Sequence, residues 1–124
     1  MGRVLITDDS SFQRKWIKTV LSPTGHELLE AAGGQQCLEL LSSTRVDCLL
    51  LDLLMPDTTG AEVLEVLRSK GISVPTVVLT ADIQETTRQK CRELGVRWFL
   101  HKPFRDAELL DAVRQAVASG SEIG

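Results

Sequence analysis

Two adjacent acids, Asp8 and Asp9, follow the apolar run Val4-Leu5-Ile6 at a remove of one threonine. Asp52 closes a second run, Cys48-Leu49-Leu50-Leu51. Thr80 follows a third, Thr76–Leu79, and Lys102-Pro103 comes just past a fourth, Trp98–Leu100. If these runs are parallel strands of one sheet, three carboxylates, one hydroxyl and one ammonium converge on a single rim. Three like charges held that close are costly unless a cation joins them or a proton neutralises one. Hard oxygen donors with few protein contacts suit Mg²⁺, which keeps several waters and shares its shell with phosphate oxygens. Each acid also has a plainer reading: Asp9 or Ser10 would cap the helix that follows, and Asp57 would shape a turn. Capping does not account for the combination.

The elements that must position these groups follow from the periodicity. From Ser10 the apolar residues fall at Phe12, Trp16, Ile17, Val20 and Leu21, one face of a helix that ends at Ser22-Pro23-Thr24-Gly25. His26 to Ala31 reads as an edge-like strand, and helical spacing returns with Cys37, Leu38 and Leu41. Cys48–Leu51 is apolar throughout, as expected of a parallel strand covered on both faces. A loop, Met55–Gly60, leads to a helix with Val63, Leu64 and Leu67 on one face, ending at Lys70-Gly71. Pro75 opens the next strand. Asp82, with Glu85 three residues on, predicts a capping box for a helix ending near Gly95. Asp106 caps a last helix carrying Leu109, Leu110, Val113 and Val117. Five β-α units in succession require a mainly parallel sheet with helices on both faces, because crossovers are right-handed. Ligands then collect beyond the carboxyl ends of the strands.

Composition bounds the alternatives. The 124 residues are 43% hydrophobic and 25% charged, with 14 basic against 17 acidic side chains for a net charge of −3. That is one ordinary soluble domain, with no charge excess to drive binding to nucleic acid or anionic lipid. No apolar run approaches the roughly 20 residues of a membrane span. Three cysteines without a C-x-x-C pair, and two distant histidines, give no zinc site, so reduced thiols in a cytoplasmic protein are expected. Residues 119–124 read as a short loose tail.

Four segments, in order and at matching distances, carry a family resemblance. They are Val4-Leu5-Ile6-Thr7-Asp8-Asp9-Ser10, Leu51-Asp52-Leu53-Leu54-Met55-Pro56 with Gly60, Leu79-Thr80-Ala81, and Phe99-Leu100-His101-Lys102-Pro103-Phe104. The chain resembles, over residues 3–118, the receiver domain of bacterial two-component response regulators, most nearly the single-domain chemotaxis type. The resemblance implies a doubly wound five-stranded sheet of flavodoxin-like order 2-1-3-4-5. It implies that Asp52 takes a phosphoryl group from a sensor histidine kinase or phosphotransfer protein. Asp9, Asp52 and the carbonyl of Leu54 would bind Mg²⁺ directly, and Asp8 through water. Lys102 and Thr80 would each contact a phosphoryl oxygen, the N–H groups of Leu53 and Ala81 would complete the cradle, and Lys102-Pro103 would be cis.

In the same family a threonine and an aromatic residue couple modification to a surface change; here these are Thr80 and Phe99. The helix Asp82–Leu94 has a thin apolar face of Ile83, Cys91 and Leu94, which suits a movable surface. Phe99, His101 and Phe104, with the last two helices, are the expected surface for a downstream target protein. Leu54 and Asp82 would flank the path of the water that ends the phosphorylated state, and Asp82 could orient it. No output segment follows Val117, so a single-domain regulator or an excised receiver is expected. Two rivals stand. A haloacid dehalogenase-like phosphatase or phosphotransferase also uses an aspartyl nucleophile, but needs D-x-D-x-[TV] after its first strand. A scaffolding receiver that is never phosphorylated would have no use for all five site residues.

Overall fold

Alternation along the strands decides which layer each residue joins. Leu5, Leu49, Leu51 and Val78 face one side of the sheet; Val4, Ile6, Leu50, Val77 and Leu79 face the other. The computed structural model describes residues 2–81 and 84–122, the last two as backbone only. Five strands are seen: β1 (Arg3–Thr7), β2 (Glu27–Ala31), β3 (Cys48–Asp52), β4 (Thr76–Thr80) and β5 (Trp98–His101). All neighbouring pairs are parallel, in the order β2-β1-β3-β4-β5. The helices are α1 (Ser11–Leu21), α2 (Gly34–Ser43), α3 (Gly60–Ser69), α4 (Glu85–Glu93) and α5 (Asp106–Glu122).

Helices α2, α3 and α4 cover the first face through Cys37, Leu41, Val63, Leu64, Leu67 and Cys91. Helices α1 and α5 cover the second through Ile17, Leu21, Leu109, Ala112, Val113 and Ala116. The central strands β3 and β4 are buried at every position, whereas the edge strand β2 is buried only at Ala31. That contrast explains why β3 reads as a continuous apolar run and β2 does not. The three cysteines are reduced and buried. Burial pushes the Cys37 thiol up to about 11 and that of Cys48 to about 12, so neither is a nucleophile at neutral pH.

One boundary is decided between two expected residues and two others differ from the expectations. Ser10 caps α1, its hydroxyl accepting from Gln13 N at 3.1 Å, so Asp9 is released from that role. Helix α4 starts at Glu85 with Gln84 as its cap residue, two residues later than the cap that was expected; that expected cap, Asp82, and Ile83 lie outside the described residues. Finally, α5 runs on to Glu122, where a loose tail from residue 119 was expected. Ser119 is the reason: it is buried and donates its hydroxyl to Ala116 O at 2.7 Å, which satisfies a polar side chain inside the helix.

Candidate functional site

The register of the sheet lines up the ends of β1, β3 and β4, because Thr7 pairs with Leu51 and Asp52 with Leu79. Asp8 and Asp9 therefore emerge beside Asp52. One carboxylate oxygen from each of the three lies within 4.8 Å of the others. Asp8 and Asp52 are buried, at 1% and 4% exposure, while Asp9 is open to solvent. Lys102 reaches in from the end of β5, with Nζ 3.3 Å from Asp8 Oδ2 and 3.6 Å from Asp52 Oδ1. The Lys102-Pro103 bond is cis, and Lys102 N donates to Thr80 O at 2.8 Å. Thr80 is buried at the end of β4, directly beside this strand.

Charge is unbalanced: three carboxylates face one ammonium. Burial is the largest influence on Asp52 and raises its pKa; Asp8 and Asp9 add to the rise, while the Leu54 N–H and Lys102 oppose it. An all-oxygen cluster with surplus negative charge and one open side fits a hard divalent cation such as Mg²⁺. Leu54 N donates to Asp52 Oδ1 at 3.2 Å, and Leu53 O accepts from Gly60 N at 3.0 Å. These bonds fold the segment after Asp52 back on itself. A Cβ on Gly60 would sit 2.8 Å from Leu53 Cα and 2.9 Å from Asp52 O, so backbone packing demands glycine there. Leu53 is buried and Ala81 exposed, each directly after the strand that carries Asp52 or Thr80.

Phe99 is half-buried on the α4 side of β5, with the guanidinium carbons of Arg88 and Arg92 at 5.5 and 5.6 Å from its ring centre. His101 is exposed on the same strand. Phe104 departs from expectation. It is 9% exposed and packs against Trp16 with ring centres 5.5 Å apart, in the α1–α5 layer, so it offers no surface to a partner. Asp82, the residue expected beside the water path, lies outside the described residues. Helix α4 has Cys91 as its one buried residue among those described, in keeping with a thin apolar face.

Two residues gain roles that composition and spacing did not give them. Arg14 donates to the carbonyl of Asp8 and pairs through Nε with Glu30 Oε1 at 3.0 Å, tying the β1–α1 loop to β2. A basic side chain in the second turn of the helix after an acidic pair was the available signal. Asp57 bonds outside its own turn, to the N-terminus of α2.

Comparison with known proteins agrees with this geometry. The response regulator receiver domain family matches residues 4–114. The chain is 36% identical over 114 residues to the transcriptional regulatory protein CpxR of Escherichia coli K12, covering 92% of this chain and 48% of CpxR. It is 32% identical over 125 residues to the sensory/regulatory protein RpfC of Xanthomonas campestris pv. campestris, covering 98% of this chain and 17% of RpfC. It thus spans about half of one relative and under a fifth of the other. Among solved structures, the Francisella response regulator 1452 receiver domain superposes with a TM-score of 0.90 at 27% identity, covering 96% and 98% of the two chains. The Vibrio cholerae chemotaxis protein CheY4 gives 0.86 at 29%, covering 94% and 98%. The chain belongs to the response regulator receiver domain family, a class of phosphoacceptor signalling switches. Members of the family generally bind Mg²⁺ at an acidic pocket and interact with histidine kinases and downstream effectors.

Proposed function

We propose that Asp52 is the phosphoacceptor, that Asp8, Asp9, Asp52 and the Leu54 carbonyl hold one Mg²⁺, and that the chain signals by protein contact. The observation that carries this reading is the approach of Lys102 Nζ to both Asp8 and Asp52 at the mouth of a three-carboxylate cluster. An Asp52 oxygen attacks the phosphorus of a phosphohistidine. The P–N bond breaks, and its electron pair stays on the imidazole, which takes up a proton. A carboxylate is a weak nucleophile toward an anion, so positive charge around the transferring group must supply most of the acceleration. Bound Mg²⁺ supplies charge neutralisation. Lys102 supplies a second positive charge, and Thr80 Oγ1 with the N–H groups of Leu53 and Ala81 supplies directed donors. The chain has no turnover of its own beyond accepting the group from a donor and losing it slowly to water. A haloacid dehalogenase-like enzyme would carry its nucleophile at the end of the first strand, whereas here Asp52 ends the third.

Incubation with acetyl phosphate and Mg²⁺, followed by intact-mass and peptide mass spectrometry, tests the reading. One phosphoryl group on the peptide containing Asp52 is expected. Modification elsewhere, or repeated turnover of the donor, overturns it.

Cytoplasmic signalling between a sensor histidine kinase and a target protein is the setting that suits a chain with reduced buried thiols. No helix among the described residues is long and apolar enough to cross a membrane. The switch elements are Thr80 and Phe99, with α4 as the movable part: phosphorylation favours the state in which Thr80 reaches the phosphoryl group, and so shifts a population. Beryllofluoride with Mg²⁺ should move the amide resonances of Thr80, Phe99, His101 and α4 well beyond those of β2. Shifts confined to the Asp52 loop would exclude a switch through Phe99.

A further inference from the structure

Helix α2 lacks an N-terminal cap of its own. Its cap position is Gly33, which has no side chain to accept the free N–H groups of the first turn. Asp57 fills the gap from 23 residues away, Oδ1 accepting from Gly34 N and Oδ2 from Gln35 N, both at 3.1 Å. The approach is close enough to demand glycine on the other side. A Cβ at Gly33 would lie 2.8 Å from Asp57 Oδ1, and one at Gly34 would lie 2.6 Å from Thr58 Cβ. The φ of Gly33 is −170°, extended backbone open to any residue, so the approach of Asp57 is what the glycine serves. The two N–H bonds hold the Asp57 carboxyl below the ordinary aspartate range, so it is ionised at neutral pH and sits at the positive end of a helix.

What Asp57 anchors is the β3–α3 loop, the same segment that carries Leu54. That loop is folded by Leu54 N on Asp52 Oδ1 and by Gly60 N on Leu53 O, both bonds internal to it. Asp57 joins it to a separate element. We propose that Asp57 is a positioning residue for the divalent-cation site, using α2 as a fixed post that holds the Leu54 carbonyl toward Asp9 and Asp52. The inference rests on the reading of those residues as Mg²⁺ ligands.

The test uses the full chain and Mg²⁺ alone, with dissociation constants from isothermal titration calorimetry and stability from urea unfolding in Mg²⁺-free buffer. Asp57→Ala should weaken Mg²⁺ binding by about threefold to tenfold, at or below the roughly tenfold lower bound for direct outer partners of metal ligands, because Asp57 acts through the loop rather than on a ligand. Asp57→Asn, which keeps one acceptor oxygen, should fall between. The decisive variant is Gly33→Ser placed in the Asp57→Ala background, where the clash at Gly33 is gone and the serine can cap α2 from within. It should restore stability and leave Mg²⁺ binding weak. If both recover together, Asp57 is only a helix cap and the inference is overturned. If Mg²⁺ affinity is unchanged in both Asp57→Ala and Asp57→Asn, it is likewise overturned while the site reading stands. A wild type that binds Mg²⁺ no better than Asp9→Asn removes the site reading and the inference together.

Discussion

Asp52→Asn should take up no phosphoryl group from acetyl phosphate and, in Mg²⁺-free buffer near neutral pH, should melt at a higher temperature than the wild type. The first result follows from losing the nucleophilic oxygen. The second follows from electrostatics. The ionised Asp52 carboxylate is disfavoured by burial and by Asp8 and Asp9 more than it is favoured by Leu54 N–H and Lys102, so its folded pKa is raised. A carboxylate with a raised folded pKa costs stability once pH exceeds its unfolded value of about 3.9, and the full cost is reached above the folded value. Asparagine keeps the acceptor oxygen for Leu54 N–H but carries no charge. The gain in melting temperature should therefore shrink as the pH is lowered through the acid range and wild-type Asp52 takes up a proton.

Mg²⁺ should reverse the ranking. At a hundred times its dissociation constant a ligand stabilises the state it binds by about 2.7 kcal/mol, and that increment belongs to the wild type far more than to Asp52→Asn. Differential scanning fluorimetry with and without Mg²⁺ reads both effects. If the variant is less stable than the wild type in the absence of Mg²⁺, the three carboxylates do not repel one another in the way their spacing requires.

The fold and the five chemical groups of the site were legible in the chain because they ride on period and position. Asp52 and Thr80 are the last residues of their strands, and Asp8 and Lys102 each follow one. A parallel sheet brings such positions to one rim whatever the side chains are. What periodicity could not show was which groups bond across the fold. Asp57 sits in a loop whose composition explains it as a turn former, and its partners are backbone N–H groups that no sequence pattern displays. Arg14 lies on an amphipathic helix where an arginine reads as a solvated face, yet its guanidinium holds the Asp8 carbonyl. Phe104 follows Lys102-Pro103 closely enough to suggest the rim, but the chain turns it under α1 and α5, where its ring meets Trp16. For Asp57 and Phe104 the deciding contact joins residues far apart in the sequence; for Arg14 it spans six residues but depends on the turn between β1 and α1. Residues 119–124 read as a loose tail, yet α5 runs to Glu122 because the Ser119 hydroxyl is satisfied within the helix.

Lys102→Met should act on three quantities in directions that no general loosening of the fold would produce. Methionine keeps an unbranched stem of similar reach and removes the ammonium, which lies 3.3 Å from Asp8 and 3.6 Å from Asp52 with its side chain 25% exposed. Breaking a buried ion pair leaves uncompensated charge and costs about 3–5 kcal/mol; with one partner partly in solvent, about 2–3 kcal/mol is expected here. Urea unfolding in Mg²⁺-free buffer at pH 7 measures it. The deficit should narrow as pH falls, because protonating Asp52 removes the charge that Lys102 was offsetting. Mg²⁺ affinity should rise, since the ammonium and the divalent cation compete for the same carboxylates and repel each other. Phosphorylation by acetyl phosphate at saturating Mg²⁺ should nonetheless slow by about a hundredfold, the scale of losing one charged donor to an oxyanion. Tighter Mg²⁺ binding with slower phosphoryl transfer separates a group that contacts the phosphoryl oxygens from one that only neutralises the empty pocket. An unchanged rate of phosphorylation would assign Lys102 the second role alone.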